Sequence, residues 1–404
     1  MSASTETLVK LRGQTNEGRS KANRTHDDIQ YDKHKNKYQY NVRVNKVTAL
    51  NNVQFGGNYS FQLPAFSQLV GEAWIEVTLP ALSTGTYRKY PLLHVIDLVQ
   101  YRCGQKFYEF CPRKDIPILL SRIRNKEQKT ALRALFGGSV SNAGGTFILP
   151  LITPMSIWTS DKLAKPIEHG ARGAGFWDAG LLSDNMVIEL TVAQKADACS
   201  ANDAAFASAA DLGSLVLKWE EVVGAPQTIA AMKQAVPKHY CCEEYTRLEN
   251  QVVSDSADTT YRVASLISRA GTTGFIFRAR PAAADTQQLD CMAGSENIKN
   301  LVVRVDGREV YDTDDRSNAQ RSYQEVLAGN PQAVGEPKLA HFAFGASHKQ
   351  YDQGYIPALL KNGATNECDL DIRSESGDDR IDIVACHLRS FTFASGTIKT
   401  ANVY

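Results

Sequence analysis

Apolar and polar residues alternate with a period of two along many short stretches of the chain. In residues 72–80, Ala73, Ile75, Val77 and Leu79 fall on one side, and Glu72, Trp74, Glu76 and Thr78 on the other. Successive side chains of a strand point to opposite faces, so this pattern predicts a half-buried β-strand. The pattern recurs with Met186, Ile188, Leu190 and Val192, and again with Leu215, Leu217 and Trp219. Residues 300–312 read as a hairpin turning at Asp306-Gly307. Residues 274–281, 367–374, 380–388 and 390–396 are further short strands, separated by Gly, Pro, Asn and Asp clusters. Frequent turns with no βαβ rhythm predict an all-β chain of packed sandwiches. The expected cores include Ile75, Val77, Ile188, Leu190, Val303, Ile383 and Phe393.

Two segments switch to a helical period. In residues 113–137, Ile116, Leu119, Leu120 and Ile123 recur at helical spacing, followed by Leu132, Leu135 and Phe136. Asp115 is the expected N-cap, Pro117 falls in the first turn and Gly137 is the stop. This helix is expected to lie outside the first sandwich. The second helical stretch, residues 228–236, ends at Pro237, and a charged and polar run follows. With 404 residues, the chain exceeds what one core serves. Two domains are therefore expected: residues 47–225 and 241–404, joined by a linker over 226–240.

Charge separates residues 1–46 from the rest. Ten basic against five acidic residues give this arm +5, leaving −4 for the remainder of a chain whose net charge is +1. The arm has too few aliphatic residues to offset its ordering entropy, so it is expected to be mobile alone. Its candidate contact residues are Lys10, Arg12, Arg19, Lys21, Arg24, Lys33, Lys35 and Lys37. Either they touch neighbours, membrane or nucleic acid, or the arm is a solvated tail. The opening residues lack the apolar core of a secretory leader. The eight cysteines show no metal-ligand spacing, and reduced thiols are expected throughout.

The order of these segments resembles the double jelly-roll major capsid proteins of double-stranded DNA viruses, the iridovirus-like and algal-virus-like group within the PRD1-adenovirus lineage. Residues 61–82, with their Leu79-Pro80 step, are similar to that family's opening strands. Residues 92–110 are similar to its next hairpin, with Gly104-Gln105 at the turn. The helical insertion follows as in the family, then residues 145–158 and 181–192, which close the first roll. In the second half, residues 297–310, 339–372 and 380–404 resemble the later strands. Ile356-Pro357-Ala358 and Asn362-Gly363 stand where the family has a Pro-Ser-Gly.

The resemblance implies two tandem eight-stranded jelly rolls with a short helical insertion in the first. It implies a major capsid protein that forms a homotrimer, a pseudo-hexameric capsomer tiling an icosahedral virion shell assembled inside the host cell. The partners it implies are neighbouring capsomers, minor capsid and vertex proteins, and an internal membrane or genome reached by the arm. The alternatives are a minor capsid or vertex protein of the same fold, or a carbohydrate-binding β-sandwich.

No catalytic, cofactor or metal site is expected. The histidines form no HExxH or comparable cluster, and Cys386 and His387 are strand neighbours that face opposite sides. Asp314-Asp315, Asp369/Asp371 and Asp378-Asp379 read as solvated turns or strand faces, with a cation site as the other reading. Residues 169–180 form a Gly-rich loop in which Phe176 and Trp177 are contact residues, packing either within the subunit or against a neighbour. Arg122, Arg124, Lys126, Lys129 and Arg133 on the helical insertion offer either a solvated face or a nucleic-acid face.

Overall fold

The computed structural model describes residues 40–49, 53–64, 69–82, 86–121, 126–137, 142–156, 176–198, 211–252, 261–266, 272–281, 298–305, 308–312, 340–343, 368–374 and 379–402. The first half runs β1 (Tyr40–Thr48), β2 (Asn58–Leu63), β3 (Leu69–Leu79), α1 (Pro91–Val95), β4 (Ile96–Cys103), β5 (Gln105–Phe110), α2 (Pro112–Ser121), α3 (Lys126–Leu135), β6 (Gly145–Pro150), β7 (Trp177–Asp178), β8 (Met186–Val192), α4 (Lys195–Ala198) and β9 (Ser214–Gly224). Helix α5 (Pro226–Ala235) leads into the second half. There follow β10 (His239–Val252), β11 (Tyr261–Leu266), β12 (Thr272–Pro281), β13 (Ile298–Val305), β14 (Arg308–Asp312), β15 (Ala340–Ala343), β16 (Cys368–Ser374), β17 (Asp379–Ala394) and β18 (Thr397–Asn402).

Strands β1–β9 form two sheets, ordered β1-β9-β3-β6 and β2-β8-β4-β5, with β7 added on β3. Strands β10–β18 form another two, ordered β10-β17-β12-β15 and β11-β16-β13-β14, with β18 added on β17. Setting aside β7 and β18, both halves follow one rule. The first, eighth, third and sixth strands make one sheet, and the second, seventh, fourth and fifth make the other. That is a nested pair of Greek keys, the jelly-roll topology, and it occurs here twice in tandem. Every strand pair is antiparallel.

The period-two stretches become these strands. On β8, Met186, Ile188, Leu190 and Val192 are all buried and alternate with half-buried residues. On β9, Leu215, Leu217 and Trp219 are buried in the same way. Phe61, Leu63, Ile75, Val77, Leu190 and Leu215 join one cluster, so the two sheets of the first roll share a core. Ile383 and Phe393 are also buried. On β13 the buried residue is Val302, and Val303 lies outside the described side chains. Residues 306–307 lie outside the described residues as well, but Val305 pairs with Arg308 across them, the register a two-residue hairpin loop requires.

The expectations for the arm and the helical insertion change. The arm does not extend to residue 46: β1 begins at Tyr40 and pairs with β9 along its whole length. The alternation of Tyr40, Val42 and Val44 outweighs the polar composition around it. The helical stretch expected within residues 226–240 forms. Pro226 opens α5, and Ile229 packs with Leu69 and Val222. The helical insertion is described as α2 and α3, on either side of residues 122–125, which lie outside the described residues, and α2 is capped differently. The Cys111 carbonyl accepts the Asp115 N–H at 2.8 Å. The Asp115 carboxylate turns back to accept the Cys111 N–H at 2.7 Å. Cys111 is therefore the cap and Pro112 the first helical residue, where a missing N–H costs nothing.

Candidate functional site at the seam between the sandwiches

Helix α2 does not lie free on the outside of the first roll. Ile116, Leu119 and Leu120 enter the core of the first roll. On another side of the helix, Ile118 packs with Ile276, Val384 and Cys386 of the second roll. Asp115, buried at the start of this helix, pairs with Arg247 of β10. A buried pair of this kind offsets its desolvation only while both partners remain. The helix is thus a wedge, and a helical stripe with apolar residues on two sides is what a wedge requires.

Aromatic rings continue the seam. Tyr108 of β5 meets Phe391 of β17 edge-on, with centroids 5.9 Å apart. Trp177 of β7 stacks on Phe393 at 5.8 Å, and Tyr240 closes on the same Phe393 at 6.0 Å. Cys242, Phe391 and Phe393 belong to the core cluster of the first roll although their strands belong to the second. At the β17–β18 turn, Ser395 and Gly396 both have positive φ, 54° and 77°, as a tight hairpin turn demands. The Gly396 carbonyl accepts the Ser183 N–H at 2.8 Å. A Cβ on Gly396 would stand 2.6 Å from the Ser183 hydroxyl oxygen, so the close approach itself requires glycine. Lys233 of α5 reaches the buried Asp178 at 3.2 Å.

The electrostatics follow from burial. Removal from water pushes the Tyr240 hydroxyl well above its ordinary range, with the Asp178 charge adding to the effect. Burial raises the thiols of Cys103, Cys111 and Cys242, which makes them poor nucleophiles. Cys103, Cys111, Cys241, Cys242 and Cys386 carry free thiols. His94, in α1 beside α2, is pulled down to about 3, first by burial and then by Arg113 and Arg88.

The residues singled out from the sequence fall in different places. Trp177 is 3% exposed and its ring is occupied by Phe393, so its side chain packs within the subunit. Half-buried Phe176 meets Tyr40 edge-on at 6.1 Å and packs on the Leu69–Val222–Ile229 cluster. Lys10, Arg12, Arg19, Lys21, Arg24, Lys33, Lys35 and Lys37 lie outside the described residues. On the insertion, Arg122 and Arg124 lie outside them too, Arg133 is half-buried, and Lys129 is buried rather than presented on a solvated face. Asp369 stands opposite Arg304 in the ladder, and Asp371 opposite Arg262. His387 bonds to Thr272 at 2.9 Å, while Cys386 joins the Ile118 cluster.

Among the described residues, no three His, Cys, Asp or Glu side chains stand together as a metal site. No described helix is long and apolar enough to cross a membrane. A cavity inside the first roll, lined in part by Leu63, Tyr101, Met155 and Trp177, measures about 10 Å³. That is room for one water at most, far below a small-molecule site. The seam residues Tyr108, Arg247 and Phe391 were not singled out from the sequence, and Asp115 was read only as a helix cap. The aromatic doublets Phe107-Tyr108 and Phe391/Phe393 were the only trace of them.

No protein-family model and no curated protein matches the chain by sequence. Solved structures match it by shape. The crystal structure of VP54 from PBCV-1, fitted into a reconstruction of the virophage Sputnik, is 14% identical. It aligns over 91% of this chain and 98% of its own, with a TM-score of 0.66. The structure of the Sputnik virophage gives 10% identity, 90% and 88% coverage and a TM-score of 0.59. The Faustovirus major capsid protein gives 12% identity, 96% and 97% coverage and a TM-score of 0.55. At these identities the likeness is one of fold: the chain has the double jelly roll of these proteins.

Proposed function

We propose that this double jelly-roll chain is the major capsid protein of a double-stranded DNA virus, with a structural rather than an enzymatic role in the virion shell. The observation that carries this reading is the extent of the likeness. It spans about nine-tenths of the chain and nearly the whole of VP54. The seam supports it physically. A wedge helix, a buried ion pair and stacked aromatics make two rolls into one body, and three such bodies give the six rolls of a pseudo-hexameric capsomer.

Three copies then form the homotrimer, and trimers tile the icosahedral shell against neighbouring capsomers and minor capsid and vertex proteins. The basic arm faces inward, where each Lys or Arg near anionic lipid contributes roughly 1 kcal/mol. Lys10, Arg12, Arg19, Lys21, Arg24, Lys33, Lys35 and Lys37 are its contact residues towards membrane or genome.

The mass of the purified protein in solution tests the reading: it should be about three times the 44.5 kDa of one chain. Deleting residues 1–36 should leave the trimer intact and lower the yield of closed shells or their lipid content. Normal shells with unchanged lipid from the truncated chain would remove the arm from assembly.

A further inference from the structure

Strand β1 is bonded on one side to β9 and on the other to no described strand. Its outward row of N–H and C=O groups is the kind of edge that proteins cover or charge. Apolar exposure among the described residues is concentrated at the same edge. Val47 stands opposite the fully buried Leu217 yet is 37% exposed, and Val223, opposite Asn41, is 42% exposed. Both lie on the core side of the sheet, as does Asn45 opposite the buried Trp219. Val44 and Lys46 lie on the other side. Lys46 stands opposite Lys218, whose ammonium is already taken by Glu76 at 2.7 Å. Among the described residues, the edge has no apolar cover on its core side and no acidic group beside Lys46 on its outer side.

The chain that enters this edge carries both. β1 begins at Tyr40, and Asp27, Asp28, Ile29, Gln30, Tyr31 and Asp32 precede it. In a basic arm this stretch holds three of the five acidic residues and no basic one. Extended, it places Ile29 and Tyr31 on one face and Asp28, Gln30 and Asp32 on the other. The arm's other apolar stretch, Leu8, Val9 and Leu11, has Lys10 within it and would add positive charge beside Lys46. Residues 33–39 join the acidic stretch to β1. Such a connection spans up to about 23 Å, whereas adjacent strands lie about 4.8 Å apart. The chain can therefore turn back and run antiparallel to β1. Residues 1–39 lie outside the described residues.

We propose that residues 27–32 of the same chain add to the free edge of β1 as an antiparallel strand, with Ile29 and Tyr31 on the Val47 side and Asp28 and Asp32 on the Lys46 side. The added strand takes up the outward N–H and C=O groups of β1. Main-chain bonds of this kind supply affinity, and alternate side chains supply selectivity. The carboxylates offset the like charges of Lys46 and Lys218, which oppose each other across the ladder. A short connection keeps the entropy of closing the chain on itself small. Lys33, Lys35 and Lys37 then fall in the returning loop, on the solvent side, where the contacts proposed above stay open to them.

Hydrogen exchange of the full-length protein tests this. In the parent, the amides of residues 40–48 should all exchange slowly, including those that point away from β9. Asp28→Lys combined with Asp32→Lys, and separately Ile29→Lys, should make about half of them roughly tenfold faster or more. Glu6→Lys combined with Glu17→Lys should leave them unchanged, and slow exchange in β8 checks in each variant that the roll is folded. Carbodiimide, which joins a carboxylate to an amine as an amide with loss of water, should link Lys46 to Asp28 or Asp32 within single chains. Fast exchange of half the β1 amides in the parent, unchanged exchange in the charge-reversed chain, or a Lys46 link found only in covalent dimers would overturn the proposal. The mass of the protein, read in the same samples, tests the capsid reading separately. Trimers with an open β1 edge would sink the docked arm alone.

Discussion

The seam between the rolls and the outer edge of the first roll are built from similar strands and differ in what covers them. At the seam, Tyr108, Trp177, Phe391 and Phe393 are buried within one chain. At the edge, β1 is the last strand of its sheet. The large hydrophobic residues that stand exposed among the described ones are Val44 and Val47 on β1 and Val223 beside them on β9. Charge is treated differently too. Asp115 and Arg247 pair at a buried helix start, whereas Arg43, 60% exposed, reaches Glu221 at 2.7 Å from the surface. The first region makes two domains into one unit, and the second has backbone and side chains that no described residue covers. Apolar surface in the chain has been spent within the subunit where the rolls meet.

The largest effect should come from opening the seam. Trp177→Ala removes the ring stacked on Phe393 and should lower stability by about 3–5 kcal/mol. Urea unfolding of the parent should show one transition for both rolls, because they share a core cluster. Two resolved transitions in the parent would mean that the seam does not couple them. Arg247→Met should cost roughly 3 kcal/mol by leaving Asp115 buried without its partner, and Asp115→Asn in the same chain should recover part of it.

Acid should act next, through His94 behind the wedge helix. Its folded value of about 3 lies below the ordinary 6.5, so between those values the unfolded chain binds the proton and the folded chain does not. Stability from this group is full above about 6.5 and falls as pH drops, by about 2 kcal/mol at pH 5. His94→Leu should flatten that part of the pH profile, and an unchanged slope would assign the acid sensitivity elsewhere. The smallest effect is expected at the edge, where Val44→Thr should change stability by less than about 0.5 kcal/mol. A large loss there would mean that the Val44 side of β1 is covered in the assembled protein used for the measurement.

Much of the fold was legible from the sequence because strands in a sandwich alternate, and the β3, β8 and β9 patterns survive intact in the structure. The tandem repetition of one strand order came from the family resemblance and not from the periodicity, since it is a property of pairing and leaves no repeated residues. The seam was hidden for a related reason. Phe391 and Phe393 alternate like any core pair, and nothing local says that they serve the neighbouring roll. Ile118 sits in a helix whose other apolar residues face elsewhere, so one period describes two packing sides. Asp115 looked like a cap because caps and returning carboxylates use the same residue types within one turn.

Electron microscopy of the purified, full-length protein probes the capsid assignment at its base. Averaged particles should show three-fold symmetry with six lobes of similar size, two per chain. Single two-lobed particles at micromolar concentration would contradict it.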